Sequence, residues 1–130
     1  MSVPELRRIL YVEDDPDIRT VAVMALEIVG GLEVRACDNG TAAGRVADFA
    51  PDLLLIDVMM PGMDGPATLA HLRGTAAFAA VPAMFFTAKV RPDEIARLID
   101  LGAIGVIAKP FDPIGLADEI ASKWARHHGA

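Results

Sequence analysis

The sequence holds a single cysteine, Cys37, so an internal disulfide is excluded, and one lone thiol fits a reducing compartment. No apolar stretch approaches the roughly 18 residues that a bilayer-spanning helix requires. The opening MSVPELRR lacks the apolar core of a secretory leader. The expectation is a cytoplasmic protein with no membrane insertion. Positive charge is scarce too: 12 Lys and Arg stand against 18 Asp and Glu, a net charge of −6. A chain that grips naked nucleic acid is usually basic, so direct nucleic-acid binding is not expected. There is no internal repeat, no low-complexity run and no linker. What remains is a globular composition, 53% hydrophobic and 23% charged over 130 residues, enough for one domain with one core.

Two kinds of segment alternate along the chain. Short apolar runs occupy 8–12, 32–36, 53–56, 83–86 and 106–108. Longer stretches of helical period lie between them. Ile18, Val21, Ala22, Ala25, Ile28 and Val29 form one stripe that ends at Gly30-Gly31. Asp15 before Pro16 reads as an N-cap followed by proline in the first turn. Asn39-Gly40-Thr41 opens a short second helix through Ala47, and Gly65-Pro66 a third through Leu72. Pro92 opens a fourth with Ile95, Leu98 and Ile99 inward. Asp112-Pro113 opens a fifth with Ile114, Ala117, Ile120, Ala121 and Trp124 on one face.

Five strands alternating with five helices predict an α/β fold, a parallel sheet covered on both faces. The run 32–36 alternates apolar and polar residues, as an edge strand does. That placement is what the doubly wound order 2-1-3-4-5 requires, with ligands binding outside the carboxyl ends of the strands at the switch point. The residues just after each run would therefore meet on one edge. They are Glu13, Asp14 and Asp15 after the first strand, Asp57 after the third, Thr87 after the fourth and Lys109 after the fifth. Crowded carboxylates repel, and a divalent cation offsets the repulsion. Hard oxygen ligands suit Mg²⁺. One carboxylate could then serve as a nucleophile that forms an aspartyl phosphate, with lysine and a hydroxyl on the phosphoryl oxygens.

Four motifs carry a family resemblance: VEDD at 12–15, DVMMPGMDG at 57–65, FTAK at 86–89 and KPF at 109–111. In this order, each at a strand end, they make the chain resemble the receiver domain of two-component response regulators, of the chemotaxis-protein type. The likeness covers essentially the whole length. It implies a (βα)5 doubly wound, flavodoxin-like three-layer sandwich. It implies that Asp57 is the phosphoacceptor. Asp14, Asp57 and the backbone carbonyl of Met59 would bind Mg²⁺ directly, and Glu13 through water. Lys109 would bridge to Asp57 or to the phosphoryl group, and Thr87 would move toward the phosphoryl oxygens on activation. The Lys109–Pro110 bond is usually cis in such proteins. The implied partners are a histidine kinase or histidine phosphotransfer protein as donor and a downstream protein target, with dimerisation through the face of helix 4, strand 5 and helix 5 as a further option. One departure stands out: Val106 occupies a position where the family often carries an aromatic switch residue.

The expected function is phosphoryl acceptance that switches a protein-interaction surface, with no turnover beyond the protein's own phosphorylation and dephosphorylation. The alternatives are a phosphorelay shuttle and a phosphorylation-independent interaction module. A true phosphatase would want a lid, which nothing in the sequence resembles. A flavin carrier would want a hydroxyl- and glycine-rich loop where Glu13-Asp14-Asp15 stands. A single receiver domain over 1–130 with no output domain is expected. Asp15 and Asp17 read as cap and first-turn acids. Lys89 and His71 read as surface residues, and Phe85, Phe86 and Trp124 as core.

Overall fold

The computed structural model describes residues 2–129. Five parallel strands form one sheet in the order 2-1-3-4-5. They are β1 (Arg8–Val12), β2 (Glu33–Cys37), β3 (Leu53–Asp57), β4 (Ala83–Thr87) and β5 (Gly105–Ala108). The helices are α1 (Pro16–Met24), α2 (Gly40–Ala43), α3 (Gly65–Arg73), α4 (Pro92–Asp100) and α5 (Leu116–His127). β3 and β4 are buried along their whole length, as strands covered on both faces must be. β2 leaves Glu33 and Arg35 in water, which fits its place at the edge.

Strand alternation divides the core into two layers. Ile9, Tyr11, Leu53, Leu55, Met84, Phe86 and Ile107 pack under α1 and α5, against Ala22, Leu26, Ile120 and Trp124. Leu10, Val12, Leu54, Ile56 and Phe85 pack under α2, α3 and α4, against Ala43, Leu69, Leu72 and Leu98. The predicted three-layer sandwich is thus present. The cis peptide at Lys109–Pro110 is present as well.

The chain departs from the sequence pattern in three places. The first helix does not keep α-helical period to its end. Ala25–Val29 is a π turn, and the Gly30 N–H donates to the Ala25 carbonyl, five residues back. Each π turn adds a residue per turn and rotates the side chains beyond it about the helix axis. Ile28 and Val29, expected inward, therefore face water, while Leu26, four residues after Ala22, stays on the buried face. The second helix is a single turn, with a separate 3₁₀ turn at Ala47–Phe49. The fifth helix begins at Leu116, not at Pro113. The Asp112 carboxylate accepts the Ile114 N–H at 3.0 Å and the Asp112 carbonyl accepts the Gly115 N–H at 3.1 Å. That local turn precedes the helix and leaves Ile114 exposed. On α4 only Leu98 is buried, and Ile99 is exposed. Ala121 on α5 is exposed too.

Candidate functional site

Because all strands are parallel, their carboxyl ends share one edge. The ladder reaches just past the strands there. The Glu13 N–H donates to the Cys37 carbonyl at 3.0 Å, the Val58 N–H to Phe86 at 2.9 Å and the Lys109 N–H to Thr87 at 2.9 Å. These bonds fix the backbone of each residue that carries chemistry. Two-residue alternation then aims the side chains. Glu13 follows Tyr11, Asp57 follows Leu55 and Lys109 follows Ile107, so all three continue the face that lies under α1 and α5. Thr87 follows Phe85 on the other face.

The three residues on the first face meet. The Lys109 ammonium donates to Glu13 Oε1 at 2.7 Å and to Asp57 Oδ1 at 2.8 Å. Glu13 is 0% exposed and Asp57 2%. One carboxylate oxygen from each of Glu13, Asp14 and Asp57 lies within 4.8 Å of the others. Three carboxylates and one ammonium leave two negative charges uncompensated. Burial pushes Glu13 up to about 7, overcoming the downward pull of its hydrogen bond from Lys109, and the Asp57 charge pushes the same way. Burial works to lower the Lys109 pKa, but the hydrogen bonds to Asp57 and Glu13 outweigh it and hold the ammonium above its ordinary value. An oxygen-only donor set with this charge excess fits a small, hard divalent cation.

Neighbouring groups hold the acids in place. Asp15 is the N-cap of α1, its carboxylate accepting the Asp17 and Ile18 N–H groups at 2.9 and 3.1 Å. Asp15 and Asp17 stay outside the cluster, as their reading as cap acids expects. The Asp15 N–H donates to Glu13 Oε2 at 3.3 Å. Arg19 donates to the carbonyl of Glu13 at 2.8 Å and to that of Asp14 at 3.4 Å. Gly65, first residue of α3, leaves no room for a side chain: a Cβ there would lie 2.6 Å from the Asp57 carbonyl oxygen. Its N–H donates to the Val58 carbonyl at 2.9 Å. The loop after Asp57 is thereby closed back on the strand end. Met59 lies in that loop with its side chain exposed.

Thr87 is buried at the end of β4, and its hydroxyl accepts the Lys89 N–H at 3.0 Å. Val106 is half-buried against the layer under α3 and α4. Lys89 and His71 are exposed. Two groups escaped the sequence reading. Arg19 binds backbone carbonyls, which leave no trace in a sequence. By its pattern Tyr11 is a plain strand residue, yet its hydroxyl donates to Glu13 Oε1 across 3.4 Å. The two-residue spacing of Tyr11 and Glu13 on one strand was the available signal. Burial, the Glu13 and Asp57 charges and the hydrogen bond to Glu13 all push the Tyr11 pKa up, so its hydroxyl keeps its proton.

A doubly wound sheet that gathers acids and one lysine at its carboxyl edge places the chain among the flavodoxin-like α/β proteins that work at that edge. The sequence profile of the response regulator receiver domain matches residues 9–121, and the chain belongs to that family, whose members are phosphoacceptors of two-component signalling. It is similar to the phosphate regulon transcriptional regulatory protein PhoB of Escherichia coli strain K12, 34% identical over 92% of this chain and 52% of that protein. It is similar to the DNA-binding response regulator MtrA of Mycolicibacterium smegmatis, 31% identical over 93% of this chain and 52% of that one. Among solved structures it resembles the Vibrio cholerae chemotaxis protein CheY4, with a TM-score of 0.81 and 27% identity over 91% of this chain and 98% of the other. The chain spans about half the length of these two regulators.

Proposed function

We propose that Asp57 accepts a phosphoryl group from a phosphohistidine on a partner kinase or histidine phosphotransfer protein. The observation that carries this reading is the Lys109 ammonium bridging Glu13 and Asp57 inside a cluster of three acids. In the transfer, an Asp57 carboxylate oxygen forms the new bond to phosphorus. The bond from phosphorus to the donor imidazole nitrogen breaks, and its electron pair stays on the imidazole. Lys109 sits where it can hold negative charge that arrives at Asp57. Thr87 supplies a hydroxyl at the neighbouring strand end. Asp14, Asp57 and the Met59 backbone carbonyl would hold Mg²⁺ directly, with Glu13 reaching it through water. The bound ion would neutralise charge on the incoming phosphoryl group.

On this reading residues 9–121 are one receiver unit that works in the cytoplasm and transforms no substrate but itself. The added charge biases a protein-interaction surface toward a downstream target. With Val106 in place of an aromatic, the signal leaves the site through Thr87 and α4. A groove lined by Ile95, Ile99, Ile104 and Val106 on the α4, β5 and α5 face suits such a contact, or pairing of two copies. Intact-mass spectrometry tests the core of the proposal. The protein is incubated with Mg²⁺ and an acyl phosphate, beside Asp57→Asn. A single phosphoryl adduct on the unaltered protein, lost in the variant and with chelator, is the expected result. An adduct that survives Asp57→Asn would refute the assignment.

A further inference from the structure

A buried hydroxyl beside the acids is left unused by that reaction. Tyr11 is fully buried, and its ring is held edge-on by Phe86 at 5.9 Å between centroids. Phe86 in turn packs on Phe111 at 5.4 Å. The phenol is therefore fixed in direction, and it points at Glu13. Its hydrogen bond to Glu13 Oε1 is slack, 3.4 Å, where hydroxyl bonds ordinarily measure about 2.5–3.0 Å. The same oxygen is already taken by the Lys109 ammonium at 2.7 Å.

That competition is set to change. Lys109 divides itself between Glu13 and Asp57. Phosphorylation replaces the single charge of the Asp57 carboxylate with about 1.5–2 negative charges on the phosphoryl group, and the ammonium follows the larger charge. Glu13 Oε1 then loses the ammonium while Oε2 keeps the Asp15 N–H, and a buried carboxylate oxygen without a donor is costly. We propose that Tyr11 is a positioning residue, the reserve donor that holds Glu13 once Lys109 turns to the phosphoryl group. The inference rests on the phosphoacceptor reading above. The hydroxyl contributes little while Lys109 covers Glu13 and more after it leaves, so it favours the phosphorylated form.

Tyr11→Phe keeps the ring against Phe86 and removes only the donor. Two comparisons are made: thermal unfolding of each protein alone, and beryllofluoride affinity with Mg²⁺ by calorimetry, beryllofluoride standing for the phosphoryl group. The expected result is a melting temperature within about 2 °C of the parent and an affinity lower by about tenfold. Because the sequence contains one tyrosine, its labelled ring carbon bearing the hydroxyl gives one NMR signal. That signal should move downfield on adding beryllofluoride and Mg²⁺ as the hydrogen bond tightens. Equal affinities for the two proteins, or an unmoved signal, overturn the inference while the phosphoacceptor reading stands. If the unaltered protein takes neither beryllofluoride nor phosphoryl group, both fall together.

Discussion

Replacing Lys109 with methionine keeps most of the side chain's bulk and removes its charge. Two buried carboxylates, Glu13 and Asp57, then lose the ammonium that lies 2.7 and 2.8 Å from them. Breaking a buried ion pair from one side costs about 3–5 kcal/mol. The lower end applies, since the Lys109 side chain is itself 15% exposed and Glu13, already held at about 7, can take up a proton. About 3 kcal/mol, divided by an unfolding entropy of about 2.1 cal/mol/K per residue, lowers Tm by about 10 °C. The loss must depend on pH. Burial already holds Glu13 at about 7 in the parent, above its ordinary 4.5, and removing the ammonium takes away the hydrogen bond and charge that pull it down, so Glu13 rises further. A folded state that binds more protons than the unfolded one gains stability as pH falls through that window. The variant should therefore recover much of its deficit between pH 8 and pH 5. Melting curves followed by circular dichroism in chelator, at both pH values, measure this. A deficit of the same size at both would show that the lysine acts through its aliphatic stem, and the electrostatic account would be wrong.

Two further outcomes rest on the same geometry. Gly65→Ala puts a Cβ 2.6 Å from the Asp57 carbonyl oxygen and 2.8 Å from the Val58 Cα. Neither backbone atom can swing aside, so the variant should lose about 1–3 kcal/mol and accept phosphoryl groups more slowly at temperatures where it is still folded, which melting curves and intact mass check. On the proposed assignment of Glu13 to the Mg²⁺ site, binding of the ion requires Glu13 ionised. With Glu13 held at about 7, affinity should fall by about tenfold from pH 8 to pH 6. A calorimetric titration giving equal affinities at the two values would count against Glu13 as part of the ion's site.

The sequence carried the sheet almost completely, because strands buried on both faces read as unbroken apolar runs and the edge strand as an alternation. β1 was placed without error and the others within a residue or two at their ends. It also carried the acids and the lysine, because parallel strands bring their carboxyl ends together whatever the distance in sequence. Helix faces were less legible. The stripe through Ile28 and Val29 assumes 3.6 residues per turn, and the π turn at Ala25–Val29 breaks that assumption. The start of α5 was misplaced since Asp112 caps a turn and not the helix. In the site, contacts to backbone, such as those of Arg19, and the slack hydroxyl of Tyr11 depend on side-chain direction, which no motif encodes.

The pocket draws Glu13 and Asp14 from the end of β1, Asp57 from β3 and Lys109 from beyond β5. The acids belong to the neighbouring strands β1 and β3, and Lys109 joins them from beyond β5, past β4. A ligand held by the acids and Lys109 together binds only when the sheet is assembled from β1 to β5, so its binding energy adds to the free energy of opening that part and not to that of local fraying. Amide hydrogens across β1, β3 and β5 should slow together on occupation, by one common factor, while those at the exposed turns keep their rates. The site thus makes chemical occupancy a property of the sheet from β1 to β5 and not of any one strand.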